Sequence, residues 1–155
     1  MQTTIEETFE IQAPLDEVWT FLMTPHRVVD CMPGAELDEV VSEHTFRGSI
    51  KLKLGFVTVS YELQVEFTDV DEQTHSARLE ASGAETAGGK GGVKGTMQSS
   101  SHALDNGGTE VTVQVDMEMT GRMVDFGRGM IRSVSRQLTK KFVANAKRQL
   151  ESVAG

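Results

Sequence analysis

Residues 121–142 read GRMVDFGRGMIRSVSRQLTKKF and carry two series of side chains, one apolar and one basic. The apolar side chains recur at steps of three and four residues, the spacing that keeps them on one face of a helix. The basic side chains are offset by two positions from Met130, Val134, Leu138 and Phe142, a rotation of about 200°, and so lie on the opposite face. The pattern predicts one long amphipathic helix over 121–152. The apolar series is Ile131, Val134, Leu138 and Phe142, and the basic series is Arg128, Arg132, Arg136 and Lys140.

The sequence before this stretch alternates apolar and polar side chains with a period of two, which is typical of strands with one buried face. Prolines near the N-terminus mark the boundaries of two short helices, predicted over 14–23 and 26–31. Hairpin connections are predicted at the glycine-rich run 88–92 and at Asn106-Gly107. The predicted strands are 3–12, 35–42, 46–54, 57–67, 77–81, 93–97 and 111–119.

The order of these elements predicts a fold. Antiparallel strands that alternate apolar and polar residues need a cover on the apolar face, and only the C-terminal helix is long enough to provide it. We therefore expect a single α+β domain over 1–155, in which a curved seven-stranded antiparallel sheet wraps around that helix. A helix is only about 10 Å wide, so space for a ligand is expected beneath it unless bulky side chains fill the gap.

Charge is divided unevenly along the chain. The net charge of −8 argues against nucleic-acid binding, which depends on clustered Lys and Arg. Residues 1–121 carry 7 basic and 21 acidic side chains, whereas residues 122–155 carry 8 basic and 2 acidic ones. The basic helix face is therefore either an ordinary solvated surface or a contact for an anionic lipid surface or an acidic partner.

The sequence also bears on the compartment. Cys31 is the single cysteine, so an internal disulfide is impossible. The N-terminus lacks the pattern of a signal peptide, and no apolar run approaches the roughly 20 residues of a membrane span. We expect a reduced, cytoplasmic protein whose contact with the membrane is at most peripheral, at the inner face.

No constellation of catalytic or metal-binding side chains emerges. The four histidines lack the paired spacing of metal ligands, and Cys31 is expected to be a small buried residue. The run 88–95 does not match a phosphate-binding loop. Carboxylates on the predicted strands occupy the alternate positions that point away from the core. Tyr61 is therefore the only polar side chain that we expect on the inward face. We therefore predict no catalytic residue and no metal.

Methionine-rich inward positions indicate an adaptable apolar site, although ordinary core filling explains the same residues equally well. Gly127 and Gly129 weaken the start of the long helix, as the entrance to a cavity would require. The predicted ligand-binding residues are Met32, Pro33, Leu52, Tyr61, Leu63, Leu79, Met97, Met117, Phe126, Met130 and Val134. The predicted contacts with a partner or a membrane are Arg128, Arg132, Arg136 and Lys140.

Three segments carry a family resemblance. These are the A-P-L-D-E-V-W-T-F-L segment at 13–22, the C-M-P-G segment at 31–34 and the G-S-I-K-L-K-L-G segment at 48–55. The first is similar to the opening of START-like (SRPBCC) helix-grip proteins. The other two, with the glycine-rich hairpin, resemble the CoxG group of carbon monoxide dehydrogenase subunits. The resemblance covers essentially the whole chain.

The resemblance implies a hydrophobic tunnel between sheet and helix, with isoprenoid quinone as a proposed ligand. It also implies association with a molybdenum hydroxylase of the CO dehydrogenase type and a role in membrane contact. Two features depart from the family pattern. Phe56 stands where proline is frequent, and the sequence ends at Gly155 without the tail that some members carry. We therefore expect transient rather than stable membrane contact.

The leading hypothesis is a non-enzymatic protein that binds a quinone or a lipid-like molecule and requires no other cofactor. One alternative is an enzyme of the cyclase or hydrolase type that uses the same cavity. Another is a ligand-free adaptor that docks through the basic helix face. The sequence leaves a homodimer open.

Overall fold

A computed structural model of the protein describes residues 1–86 and 90–151. The elements in chain order are β1 (Gln2–Ile11), α1 (Leu15–Leu22), α2 (Pro25–Cys31), β2 (Ala35–Val40), β3 (Thr45–Leu54), β4 (Val57–Asp71), β5 (Ser76–Glu85), β6 (Gly92–Ala103), β7 (Thr109–Met119), α3 (Arg122–Asp125) and α4 (Gly127–Glu151). The strands form one seven-stranded antiparallel sheet in the order β1-β7-β6-β5-β4-β3-β2. The predicted α+β architecture, with its long C-terminal helix, is confirmed.

Two strands extend beyond the apolar pattern that predicted them. β5 and β6 are longer than the predicted ranges 77–81 and 93–97. Their inward positions include Gly83 and Gly95, which are register partners of larger residues on the neighbouring strands. Because these positions carry no apolar side chain, the hydrophobic alternation fades while the backbone ladder continues. Residues 88 and 89 of the predicted glycine-rich hairpin lie outside the described residues.

The prediction of one continuous helix over 121–152 is wrong at its start. α3 ends at Asp125, and α4 begins at Gly127, whose φ is +78°. Side chains with a Cβ rarely adopt this left-handed conformation, whereas glycine adopts it freely. The left-handed conformation of Gly127 therefore interrupts the helix, and α3 and α4 are separate elements.

The apolar core consists of two separate clusters. The C-terminal cluster joins the last turns of α4 to α1, α2 and the ends of β1 and β7; its buried members are Ile11, Ala13, Val18, Phe21, Cys31, Val111, Phe142, Ala146 and Leu150. The hairpin cluster joins the β3–β4 hairpin to α3 and the start of α4; its buried members are Leu54, Val59, Tyr61, Met119, Met123 and Ile131. A fully packed domain usually has one contiguous core.

Hydrogen bonds hold the C-terminal half of α4 in place. The Asn145 side chain donates from Nδ2 to the backbone oxygen of Cys31 at 3.0 Å, and Arg27 Nε donates to Gln149 Oε1 at 2.7 Å. The backbone N–H of Gln12 donates to Glu151 Oε2 at 2.9 Å. These bonds tie α4 to α2 and to the end of β1, which fixes the helix over the C-terminal cluster.

Phe142 is the central aromatic residue of the C-terminal cluster, with ring centroids 6.3 Å from Phe9 and 6.1 Å from Phe21. We expect Phe142→Ala to lower the free energy of unfolding by about 3–5 kcal/mol, because it leaves a cavity in a buried cluster. Phe56→Ala is the control, since the Phe56 side chain is fully exposed and its loss should cost no more than about 0.5 kcal/mol. Urea unfolding followed by circular dichroism measures both. Equal effects would contradict this assignment of the core.

Candidate ligand-binding site

The candidate site is the space between α4 and the inward face of the sheet. The backbone of α4 packs near β1 and α2, and β1 is an edge strand of the sheet. Strands lie about 4.8 Å apart, so β5 and β4 are roughly 14 and 19 Å from β1 across the sheet. A helix about 10 Å wide cannot cover the full width of the sheet, although its first turns reach β4 at the hairpin cluster, which Ile131 shares with Val59 and Tyr61.

Solvent exposure along the inward face agrees with this geometry. Between the two clusters, apolar side chains on the inward phase are only partly buried, although their neighbours at each end are buried. The inward phase follows from the alternation of side chains along each strand. The partly buried inward side chains include Ile5, Leu63, Val65, Leu79, Ala81, Met97, Val113, Val115 and Met117, and Val134 and Leu138 on α4 are likewise partly buried. We refer to this incompletely buried stretch of the inward face, between the two clusters, as the gap.

Many of the predicted ligand-binding residues meet at one end of this gap. Tyr61 is a buried member of the hairpin cluster, and Leu52, Leu63, Met117, Phe126 and Val134 are partly buried and pack against that cluster. Leu79 and Met97 are register partners on β5 and β6 and lie further along the same face.

Three predicted ligand-binding residues lie elsewhere. Met32 packs against the C-terminal cluster at the opposite end, with the half-buried Pro33 beside it in the chain. Met130 is 41% exposed. The basic residues predicted to contact a partner or a membrane, Arg128, Arg132, Arg136 and Lys140, are all exposed on α4.

Glu85 is a buried acid that the sequence pattern did not reveal. The prediction that no carboxylate is buried, and that Tyr61 is the only inward polar side chain, is therefore wrong. The Glu85 residue is 7% exposed, and its side chain is fully buried. The predicted strand stopped at residue 81; continuing its alternation in steps of two reaches Glu85 on the inward phase. The same counting places the half-buried Glu7 inward, between Ile5 and Phe9.

Arg122 and Tyr61 are the neighbours of the Glu85 carboxylate. Arg122, the first residue of α3, donates from Nε to Glu85 Oε1. The other oxygen, Oε2, lies against two glycines: a Cβ added at Gly91 would be 3.0 Å from it, and one at Gly121 would be 3.3 Å from it. Tyr61 is the register partner of Glu85 on β4. A carboxylate and a phenol are thus carried by paired residues on the same face of adjacent strands, and the phenol belongs to the apolar hairpin cluster.

Two polar atoms of this pair remain without a hydrogen bond. Glu85 Oε2 and the Tyr61 hydroxyl are both buried, and neither has a partner among the residues that the structure describes. Burial raises the pKa of Tyr61, and the nearby Glu85 carboxylate raises it further, against a smaller opposite effect of Arg122. The phenol is therefore protonated at neutral pH and available as a donor.

Other features offer less to a ligand. Cys31 is buried, and burial together with Asp30 raises the pKa of its thiol, which disfavours the nucleophilic thiolate. A depression of about 600 Å³ lies mainly on the outer face of the sheet, with polar lining residues such as Glu66, Glu80 and Lys94. No group of His, Cys, Asp and Glu within 1–86 and 90–151 is arranged to hold a metal ion.

Apolar side chains are exposed near the hairpin cluster. Phe56 occupies the tip of the β3–β4 hairpin, next to Gly55 with its φ of +67°, and is fully exposed. Leu54 in the same hairpin shares a cluster with Ile131 of α4. The hairpin tip and the basic start of α4 therefore lie at the same end of the molecule.

Tyr61 is the only tyrosine of the chain, so its ionisation can be followed directly by ultraviolet absorbance. We expect the pKa of Tyr61 in the native protein to lie above the ordinary value of about 10, because burial disfavours the tyrosinate. Since the folded-state pKa is raised, this group stabilises the fold below pH about 10 and destabilises it progressively as the pH rises towards the folded pKa. The urea-unfolded protein is the control. A native midpoint at or below that of the unfolded protein would contradict the burial of the hydroxyl.

Solved structures share this fold over nearly the full length. A conserved protein from Geobacillus kaustophilus has a TM-score of 0.85 at 20% identity, with 97% of this chain and 96% of that chain covered. The Zhui aromatase/cyclase from Streptomyces sp. R1128 has a TM-score of 0.66 at 16% identity, with 100% and 99% covered. A START superfamily protein from Mycobacterium smegmatis has a TM-score of 0.66 at 10% identity, with 97% and 98% covered. These likenesses establish a START-like fold.

The sequence comparisons identify the family. No curated protein sequence matches the chain significantly. The family model of CoxG, a component of carbon monoxide dehydrogenase, matches residues 8–151. This range contains the three segments that carried the resemblance, the buried members of both core clusters, and the whole of α4. Met1, which packs against the hairpin cluster, lies outside the matched range. The chain therefore belongs to the CoxG family of carbon monoxide dehydrogenase subunits.

Proposed function

We propose that this protein is a non-catalytic carrier, which holds an elongated apolar molecule such as an isoprenoid quinone or a lipid tail between the sheet and α4. Membership of the CoxG family and the START-like fold suggest a role in hydrophobic-ligand binding or in association with CO dehydrogenase. The partner that we propose is a molybdenum hydroxylase of the CO dehydrogenase type. The ligand would be loaded or delivered during transient contact with a membrane.

The division of the core into two clusters is the observation that carries this proposal. Protein interiors are normally packed as densely as organic crystals, yet the inward apolar side chains between the clusters stay partly exposed. A bound apolar chain would contribute roughly 25 cal/mol for each Å² of apolar surface that it removes from water. The gap thus favours an elongated apolar ligand over water.

The surroundings of the gap support membrane contact. Phe56 projects from the hairpin tip, and basic side chains cover the exposed face of α4. An apolar side chain beside basic residues suits the boundary between lipid headgroups and acyl chains. No helix in the described part of the chain is long and apolar enough to span a bilayer.

Ala81→Trp tests where the ligand lies. Ala81 is partly buried on the inward face of β5, so an indole at this position would fill the gap. We expect its affinity for the apolar fluorescent probe N-phenyl-1-naphthylamine to fall at least about tenfold, equivalent to about 1.4 kcal/mol. Ala84→Trp is the matched control, because Ala84 is exposed on the same strand.

Native mass spectrometry of the two tryptophan variants extends this test to the natural ligand. The wild-type protein and Ala84→Trp should retain a copurified prenyl or acyl compound, and Ala81→Trp should lose it. Equal probe binding by both variants would place the ligand outside the gap. A wild-type protein that binds neither probe nor natural compound would contradict the carrier function itself.

Phe56→Glu tests the membrane contact. We expect this change to reduce binding to vesicles of phosphatidylglycerol and phosphatidylcholine at least about threefold, because a charge replaces the side chain that would enter the lipid. The control is Val70→Glu. Val70 is also exposed and apolar, but it lies about 45 Å from Phe56 along the chain of β4. Vesicle flotation measures both variants, and equal losses would show that the hairpin tip has no special role.

A further inference from the structure

The hairpin cluster contains an unfilled hydrogen-bonding position. The Tyr61 hydroxyl and Glu85 Oε2 are both buried, and within the described part of the chain neither forms a hydrogen bond. Buried polar atoms are hydrogen-bonded in the great majority of cases. Two such atoms, on register partners of adjacent strands, indicate that a group from outside the chain completes the bonding.

The chemistry of the two atoms specifies that group. Tyr61 supplies a hydrogen-bond donor, since burial and the neighbouring carboxylate raise the pKa of its phenol. Glu85 Oε1 already accepts a hydrogen bond from Arg122 Nε, which leaves Oε2 as an acceptor. The missing group must therefore accept one hydrogen bond and donate another.

We propose that Tyr61 and Glu85 bind the polar head of the carried molecule, and that this head is a neutral hydroxyl, either an alcohol or a phenol. A hydroxyl accepts from Tyr61 and donates to Glu85 at the same time. A ketone, including a carbonyl of an oxidised quinone, or an ether can only accept, and so leaves the Glu85 oxygen without a partner; of the quinone carriers, only the reduced quinol has the required hydroxyl. A carboxylate places a second negative charge beside Glu85. The proposal rests on the carrier function, whose ligand class it specifies.

The position of the pair fits an amphiphilic ligand. Next to Tyr61 on the inward face of β4 comes Leu63, which is partly exposed in the gap. Leu63, Met117 and Val134 pack against the hairpin cluster and would contact the apolar body of the ligand. Met119 and Met123 share the cluster with Tyr61, and methionine side chains are flexible enough to admit a small head group.

Three ligands that differ only in the head group test this proposal. They are 4-dodecylphenol, its methyl ether and 4-dodecylbenzoate, and each is measured by displacement of N-phenyl-1-naphthylamine. For the wild-type protein we expect the phenol to bind about tenfold more tightly than the ether, since the ether lacks the donor for Glu85, and the benzoate to bind most weakly. Tyr61→Phe should weaken the phenol about five- to tenfold.

Glu85→Gln tests the acceptor separately. An amide can donate to the ether oxygen, so this change should reduce the preference for phenol over ether to about threefold or less. Glu80→Gln is the matched control, because Glu80 is exposed on the same strand, and it should retain the wild-type preference. Circular dichroism of each variant verifies the fold, and Tyr61→Phe, which keeps the Glu85–Arg122 pair, provides an independent test.

The outcomes separate this proposal from the carrier function. Equal affinities of the wild-type protein for phenol and ether, or unchanged affinities in Tyr61→Phe, would overturn the assignment of the head group while the carrier function stands. Tighter binding of the benzoate than of the phenol would also overturn it. Failure of the wild-type protein to bind the fluorescent probe would instead contradict the carrier function.

Discussion

The width of an α-helix is the constraint on which the rest of this structure depends. A seven-stranded sheet presents more inward surface than a helix about 10 Å wide can cover. Side-chain hydrogen bonds to α2 and to the end of β1 hold the C-terminal half of α4 to one side. The sheet is therefore closed beneath the last turns of α4 and incompletely covered farther towards β4 and β5. The gap therefore follows from the difference in width between the helix and the sheet, and it would form even without small side chains at the inward positions.

The break between α3 and α4 closes the other end of the gap. Gly121 and Gly127 both have positive φ, so the chain turns twice within a few residues. α3 thereby reaches the hairpin cluster, where Met123 is buried and Arg122 pairs with Glu85. A continuous helix from residue 121 would extend along the axis of α4 instead. In the described part of the chain, Arg122 is the only arginine paired with a buried carboxylate. The two glycines determine its position, because they set the course of the backbone on either side of α3.

The sequence predicted the fold because the alternation of apolar and polar side chains, on which the sheet depends, repeats along most strands. The prediction failed at positions where the inward residues are small or polar. On β5 the apolar alternation fades at Gly83, so Glu85 was not recognised as inward, although counting in steps of two would have placed it there. Met130 illustrates the limit of helical spacing. Relative to Ile131 it is rotated by about 100°, which puts it at the border of the apolar face, and packing around that face leaves it exposed. The gap itself depends on tertiary distances, which no local pattern encodes.

The charge distribution and the single exposed phenylalanine together explain why contact with a membrane would be reversible. Burial of the Phe56 side chain contributes roughly 1.5–3 kcal/mol, and each basic side chain near an anionic surface adds about 1 kcal/mol. With the four exposed cations Arg128, Arg132, Arg136 and Lys140, the sum is about 5–7 kcal/mol, which lies between a millimolar and a micromolar dissociation constant. In the proposed membrane contact, the acidic strands would oppose this attraction and would orient the molecule with α4 towards the lipid. The proposed carrier would have to leave the membrane to deliver its ligand, and an interaction of this strength would permit both arrival and release.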